Sequence, residues 1–167
     1  MASVKSTRPY IVRNSQIHGR GVFAARKIKK GTPIIEYKGQ RIEWPEALER
    51  PDTDPDNPFH TFFFSLDDGR VIDASVRGNA ARWINHSCSP NCETEEDDDG
   101  RVNVVAKKSI DVGDELTYDY KLTIDGKLSK KERAHFACHC GKKKCRGTML
   151  DPEEEKKKKK KKKKRND

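Results

Sequence analysis

Apolar residues in this chain fall in short runs separated by glycine, proline and charge, and no long helical stripe stands out. Tyr10-Ile11-Val12 reads as a short strand. Ile17-His18-Gly19-Arg20-Gly21-Val22-Phe23-Ala24-Ala25 is a glycine-punctuated turn running into a second strand. Pro33-Ile34-Ile35-Glu36-Tyr37-Lys38-Gly39 gives a third, ended by Gly39. Trp44 to Arg50 fits one or two helical turns with Pro45 in the first, and the prolines from Pro51 to Pro58 predict a loop. Phe59 to Asp73 predicts a hairpin: the aromatic run Phe62-Phe63-Phe64, the turn Asp67-Asp68-Gly69, then Val71-Ile72-Asp73. Gly78 to Ile84 is the best interior helix, and the acidic Glu93 to Asp99 predicts an exposed turn between strands. Val102 to Ala106 and Leu116 to Tyr120 complete the strands, and Ser129 to His135 fits a helix. Short strands, frequent turns and scarce helix predict an open, mostly β domain.

Composition adds one domain and a tail. The chain has 167 residues, 32% hydrophobic and 38% charged, with a net charge of +9. Much of that bias is local, since Lys156 to Lys164 are consecutive lysines followed by Arg165. Residues 151–167 bury no apolar surface and are expected to be disordered. Such a run suits non-specific nucleic-acid contact, nuclear localisation or acidic chromatin, and equally a plain solvated tail. Met1 to Arg8 shows no secretory signal, and no window approaches the ~20 apolar residues of a membrane span. A soluble protein made in a reducing compartment is expected, without membrane contact.

Cysteine spacing is the most specific chemical signal. Cys138-x-Cys140-x4-Cys145 supplies three thiolates, and a tetrahedral metal needs a fourth, from Cys88 or Cys92. Lys142, Lys143, Lys144 and Arg146 would offset the negative charge of four thiolates. His18-Gly19-Arg20-Gly21 lacks a phosphate-binding fingerprint, but its glycines let the backbone approach a ligand closely. Tyr118 and Tyr120 share one face of a strand, an arrangement that also serves ordinary cross-strand packing.

The run Arg82-Trp83-Ile84-Asn85-His86-Ser87-Cys88-Ser89-Pro90-Asn91-Cys92, then Gly113-Asp114-Glu115-Leu116-Thr117-Tyr118-Asp119-Tyr120, then Cys138-His139-Cys140 and Cys145, resemble the SET-domain protein lysine methyltransferases. The resemblance includes a carboxy-terminal zinc-binding post-SET motif. It is strongest to the trithorax-type histone methyltransferases, and this chain reads as a short stand-alone member, bacterial or viral. It implies the SET fold: several short curved sheets, few short helices and a knot-like carboxy-terminal threading. The expected division is a flexible amino terminus at 1–7, the SET domain at 8–124, the zinc segment at 125–150 and the lysine-rich tail at 151–167.

The activity implied is transfer of a methyl group from S-adenosylmethionine to a protein lysine, on a histone tail. By resemblance Tyr120 is the catalytic tyrosine and Tyr37 a channel tyrosine. Tyr118 stands where relatives have Tyr or Phe and favours mono- or dimethylation. His18, Arg20, Gly21, Phe62, Arg82, Asn85 and His86 are implied in cofactor binding, Phe62 lacking the hydroxyl that many relatives place there. Cys88 joins Cys138, Cys140 and Cys145 as Zn2+ ligands, which leaves Cys92 an ordinary thiol and Phe64 and Trp83 to core packing. The partners implied are a protein with an exposed lysine and nucleic acid at the tail, met by a monomer. The place of action is the nucleus or chromatin if the source is eukaryotic or the protein a host-directed effector, and otherwise the cytoplasm. A non-catalytic chromatin or nucleic-acid module on the same scaffold, and self-methylation of the tail, are the competing readings. Glu93 to Asp99 would either attract a basic substrate or form a solvated turn.

Overall fold

Alternation of exposed and half-buried residues sets the first pairing, Tyr10–Asn14 (β1) against Arg20–Ala24 (β2), antiparallel with Val12 opposite Val22. The computed structural model describes residues 7–56 and 60–165. Residues 1–6 of the expected amino-terminal segment, Pro58 and Phe59 of the expected loop and hairpin, and residues 166–167 of the expected tail lie outside the described residues.

Two three-stranded antiparallel sheets follow. Pro33–Glu36 (β3) and Cys92–Glu96 (β8) flank Val102–Ala106 (β9), while Gln40–Ile42 (β4) and Phe63–Ser65 (β5) flank Val71–Asp73 (β6). The predicted hairpin is therefore present, with Phe64 opposite Ile72. Asn85–His86 (β7) and Thr117–Tyr118 (β10) pair in parallel, Thr117 beside Asn85 and Tyr118 beside His86. Chain segments some thirty residues apart are thus brought side by side.

The small sheets wrap one apolar core in which Val22, Val104 and Leu116 have no exposed surface and Ile72 and Ile84 almost none. Helix is scarce, as expected. Trp44–Glu49 (α1) starts on a proline turn, and Lys130–Ala134 (α2) opens with a capping box between Ser129 and Glu132. The interior helix is a single 3-10 turn, Ala80–Trp83, capped by the Asn79 side chain on the Ala81 N–H. Gly78 leads into it because a Cβ there would lie 1.9 Å from the Ala74 carbonyl oxygen. No described helix is long and apolar enough to cross a membrane.

Two expectations need correction. Glu93, Glu95 and Glu96 belong to strand β8 and not to a turn: Cys92 and Thr94 face inward, Glu93 and Glu95 point outward, and the half-buried Glu96 accepts from the Asp67 N–H. The turn itself is confined to Asp97 through Gly100, where the Arg101 guanidinium holds Asp97 and Asp99. The tail is the second case: Pro152–Lys163 (α3) is helical. The segment buries no apolar surface, yet a cap, the helix dipole and contacts with Leu122, Ile124 and Arg133 order it. Asp151 accepts from the Glu153 N–H at 2.8 Å, three acids occupy the first turn and lysines the last, matching the helix dipole. Glu153–Lys156 and Glu154–Lys157 add i,i+3 pairs.

Candidate active site

A cleft of about 1390 Å3 opens between the sheets, and the expected chemistry converges on it. At one end Tyr37 and Tyr118 flank Phe64, and Tyr120 packs on Tyr118. Tyr37 and Phe64 ring centres lie 5.2 Å apart, Phe64 and Tyr118 6.4 Å, and Tyr118 and Tyr120 5.0 Å. The Tyr37 hydroxyl donates to the Phe62 carbonyl at 3.1 Å, and the Tyr120 hydroxyl to that of Ile84. Burial pushes all three phenols above their ordinary range, so they stay protonated at neutral pH. Strand β10 and the 3-10 turn before β7 fix this geometry, since one supplies Tyr118 and the other presents the Ile84 carbonyl.

The other end is cationic and aromatic. The Arg20 and Arg82 guanidinium carbons lie 5.1 and 4.7 Å from the centre of the Trp83 ring, and Phe62 meets Trp83 edge-on at 5.3 Å. Arg82 Nε is buried with no hydrogen-bond partner among the described residues, an orphaned donor inside the cleft wall. Trp83 and Phe64, expected only to pack the core, pack against it and line the cleft as well.

Asn85 ties the site together from beneath. Its amide nitrogen lies 3.1 Å from the His18 carbonyl, 2.9 Å from that of Arg20 and 2.9 Å from a Glu115 carboxylate oxygen. Its donors thus hold the Gly19 turn in place. Gly21 does not reach the cleft wall. A Cβ there would come 2.3 Å from Glu115 Oε1, so this glycine makes room for a carboxylate that also accepts from the Ser15 hydroxyl.

His86 is almost fully buried, and burial pushes its pKa down to about 4 despite Asp119 beside it. The Tyr120 backbone N–H donates to its Nδ1 at 3.0 Å, which leaves the ring proton on Nε2, 3.4 Å from Cys88 Sγ. The imidazole is a neutral strut between the tyrosine strand and the cysteines.

The four expected sulfurs are assembled: Cys88, Cys138, Cys140 and Cys145 lie within 4.8 Å of one another. Tetrahedral ligation at metal–sulfur distances of ~2.3 Å spaces sulfurs by roughly 3.8 Å, and Cys88 stands 3.6 Å from Cys138 and 4.0 Å from Cys145. Backbone N–H groups of Arg146, Cys140 and Gly147 point at Cys88, Cys138 and Cys145 from 3.4, 3.4 and 3.3 Å, as donors to thiolate sulfur would. The donor set fits a soft divalent ion. Cys92 stands apart with no exposed surface, its thiol pushed up to about 12 by burial.

Residue types alone did not disclose three participants. Arg146, expected only to balance charge, clamps Asp119 with bonds of 2.8 and 3.0 Å, and Asp119 lies 3.6 Å from His86 Nδ1. Glu115, in sequence only one residue of a strand motif, accepts from Asn85 and Ser15. His60 packs edge-on against His18 at 5.1 Å and tilted on Phe62 at 5.4 Å. Proximity to the cleft-lining Phe62 was the one available signal for His60.

Comparison with known proteins agrees with this architecture. A sequence profile of the SET domain matches residues 19–121. The chain belongs to the SET-domain family. It is 43% identical over 145 residues to the Drosophila melanogaster histone-lysine N-methyltransferase trr, an alignment covering 84% of this chain and 6% of that protein. It is 39% identical over 138 residues to the human histone-lysine N-methyltransferase 2B, covering 81% and 5%. With the Dictyostelium discoideum histone-lysine N-methyltransferase set1 the identity is 37% over 154 residues, covering 89% and 10%. The chain therefore spans a small fraction of these relatives' length, 10% at most.

Proposed function

We propose that this chain is an S-adenosylmethionine-dependent protein-lysine N-methyltransferase whose substrate is a lysine in a histone tail. The observation that carries the reading is the convergence of Tyr37, Tyr118 and Tyr120 on one end of a cleft whose other end is held by Asn85, His86 and the Arg20–Trp83–Arg82 stack. Relatives named as histone-lysine methyltransferases support the substrate class and chromatin as the place of action.

The methyl donor, when bound, supplies a methyl group on a positively charged sulfur. His18, Arg20, Phe62, Arg82, Asn85 and His86 would hold it: cations for its carboxylate and aromatic faces for its adenine, with the orphaned Arg82 Nε among the available donors. Gly21 acts one step removed, by admitting Glu115 beneath the turn.

Tyr37, Tyr118 and Tyr120 then form the lysine channel. An ammonium of pKa ~10.4 must shed its proton before it becomes a nucleophile, and entry into a desolvated aromatic channel lowers that pKa. The tyrosines orient the amine, the methyl acceptor, for an in-line displacement, whose main demand is alignment. Because Tyr118 keeps a hydroxyl in the channel, mono- and dimethylation are the expected products.

Zn2+ is the ion that four cysteine thiolates suit, and Cys88, Cys138, Cys140 and Cys145 would bind it as a closed structural site. Its contribution is to fasten the carboxy-terminal segment, including Arg146, against β7.

The test is transfer of labelled methyl from S-adenosylmethionine to core histones, with Tyr120→Phe as control. Label on a histone that disappears in the control is the expected result. Intact donor binding without label on any histone or on the chain itself would overturn the reading.

A further inference from the structure

Helix α3 lies outside the catalytic reading and has a definite position and an extreme charge. From Lys156 to Arg165 every residue is a cation, and none of the positions from Lys159 to Arg165 makes an ion pair or side-chain hydrogen bond among the described residues. All of these are exposed. At a rise of ~1.5 Å per residue, those ten cations span about 15 Å. A DNA duplex carries one negative charge per ~1.7 Å, roughly nine over the same length. The two charge densities match.

The helix is seated, and its seat is the wall of the cleft. The Asp151 N–H donates to the Leu122 carbonyl at 2.9 Å, and Leu150 bridges Leu122. Lys158 Nζ donates to the Ile124 carbonyl, and Glu155 pairs with Arg133 at 2.7 Å. Leu122, Thr123 and Ile124 all line the cleft.

We propose that α3 is a docking surface for the phosphate backbone of duplex nucleic acid, placed to hold a nucleic-acid-bound substrate beside the cleft. Lysines on every side of a helix offer point charges without a fixed hydrogen-bonding fork, which suits a phosphate backbone and reads no base sequence. A lipid surface is a poorer fit, because an interfacial helix needs an apolar face and residues 153–164 contain only Glu and Lys. Like charges at i,i+4 also weaken the free helix, and phosphate contact relieves that repulsion.

The docking claim stands on charge and position alone; the placement beside a catalytic cleft rests on the methyltransferase reading. The experiment uses the full chain and K159Q/K160Q/K161Q/K162Q/K163Q/K164Q, a variant confined to exposed positions. Fluorescence anisotropy follows binding to two unrelated 30-base-pair duplexes between 50 and 200 mM salt. Equal affinity for both duplexes is expected, with a loss of ~1,000-fold across that range if six phosphates are contacted, and the variant loses most of the low-salt affinity. Helical circular dichroism of the wild type rises on adding duplex. Unchanged affinity in the variant, preference for one duplex, or tighter binding to phosphatidylserine vesicles would each overturn the docking surface. A parallel assay compares labelling of free and DNA-bound histone. The variant should match the wild type on free histone and fall behind on DNA-bound histone, and equal rates on both would refute the placement. No label on any histone from either protein would count against the methyltransferase reading, while the duplex titration still decides the docking claim.

Discussion

Arg146 holds Asp119 through two parallel hydrogen bonds of 2.8 and 3.0 Å, and this pair joins the cysteine cluster to the tyrosine strand. The Arg146 backbone N–H faces Cys88 Sγ while its guanidinium fixes the residue between Tyr118 and Tyr120. His86 closes the link, lying near Asp119 on one side and Cys88 on the other. Order at the cysteine cluster and order at the three tyrosines are therefore one property.

Arg146→Ala should lower stability by about 1–3 kcal/mol, since it leaves the half-buried Asp119 without its partner. Urea unfolding measures this, and loss of methyl transfer should accompany it. A variant as stable as the wild type would show the clamp to be incidental.

The same carboxylate gives a pH dependence. Burial is the largest influence and would raise the Asp119 pKa, but the Arg146 guanidinium and the Lys121 N–H together outweigh it and hold the carboxyl below its ordinary value. A depressed folded-state value means the stabilisation is complete above the unfolded pKa of ~3.9 and is lost as pH falls through the lower folded value. Unfolding curves of wild type and Asp119→Asn should diverge above pH ~4 and converge in stronger acid, and a constant gap across that range would contradict the assignment.

Tyr120→Phe removes the hydroxyl that donates to Ile84 and should reduce methyl transfer by about 100-fold or more with a stability loss near 1 kcal/mol. The split between a large rate effect and a small stability effect is the diagnostic, read from single-turnover labelling beside thermal unfolding. Tyr118→Phe should instead shift products toward higher methylation in mass spectra of the substrate; an unchanged product distribution would remove Tyr118 from that role.

Elemental analysis of the purified chain should find one zinc per molecule. Cys145→Ser should abolish it, as should prolonged chelation, and both should expose the carboxy-terminal segment to protease because four thiolates on one ion tie that segment to Cys88. Full zinc content in the Cys145→Ser protein would contradict the ligand set.

Gly21→Ala should weaken both folding and donor binding, by about 1–3 kcal/mol in stability, because the added Cβ displaces a Glu115 carboxylate already bound by Ser15 and Asn85. A wild-type Kd for the donor in this variant would show that Glu115 can move without disturbing the turn.

The residue sequence by itself determined the short strands, the hairpin at Phe63 to Asp73 and the cysteine spacing, because glycine punctuation, β-branched and aromatic runs and thiolate spacing are local signals. It also carried the family, through motifs whose residue types make sense only together. It misjudged the acids of β8, where alternation is visible only once Val104 is known to pair with Thr94, and α3, whose order comes from its cap, its dipole and its seat on Leu122 and Ile124. Tertiary structure alone decided that Thr117–Tyr118 lies parallel to Asn85–His86, that Trp83 becomes a platform for two arginines, and that Arg146 meets Asp119 across 27 positions of chain. Those contacts depend on long-range closure of the core, and local sequence carries no record of which distant segments that closure brings together.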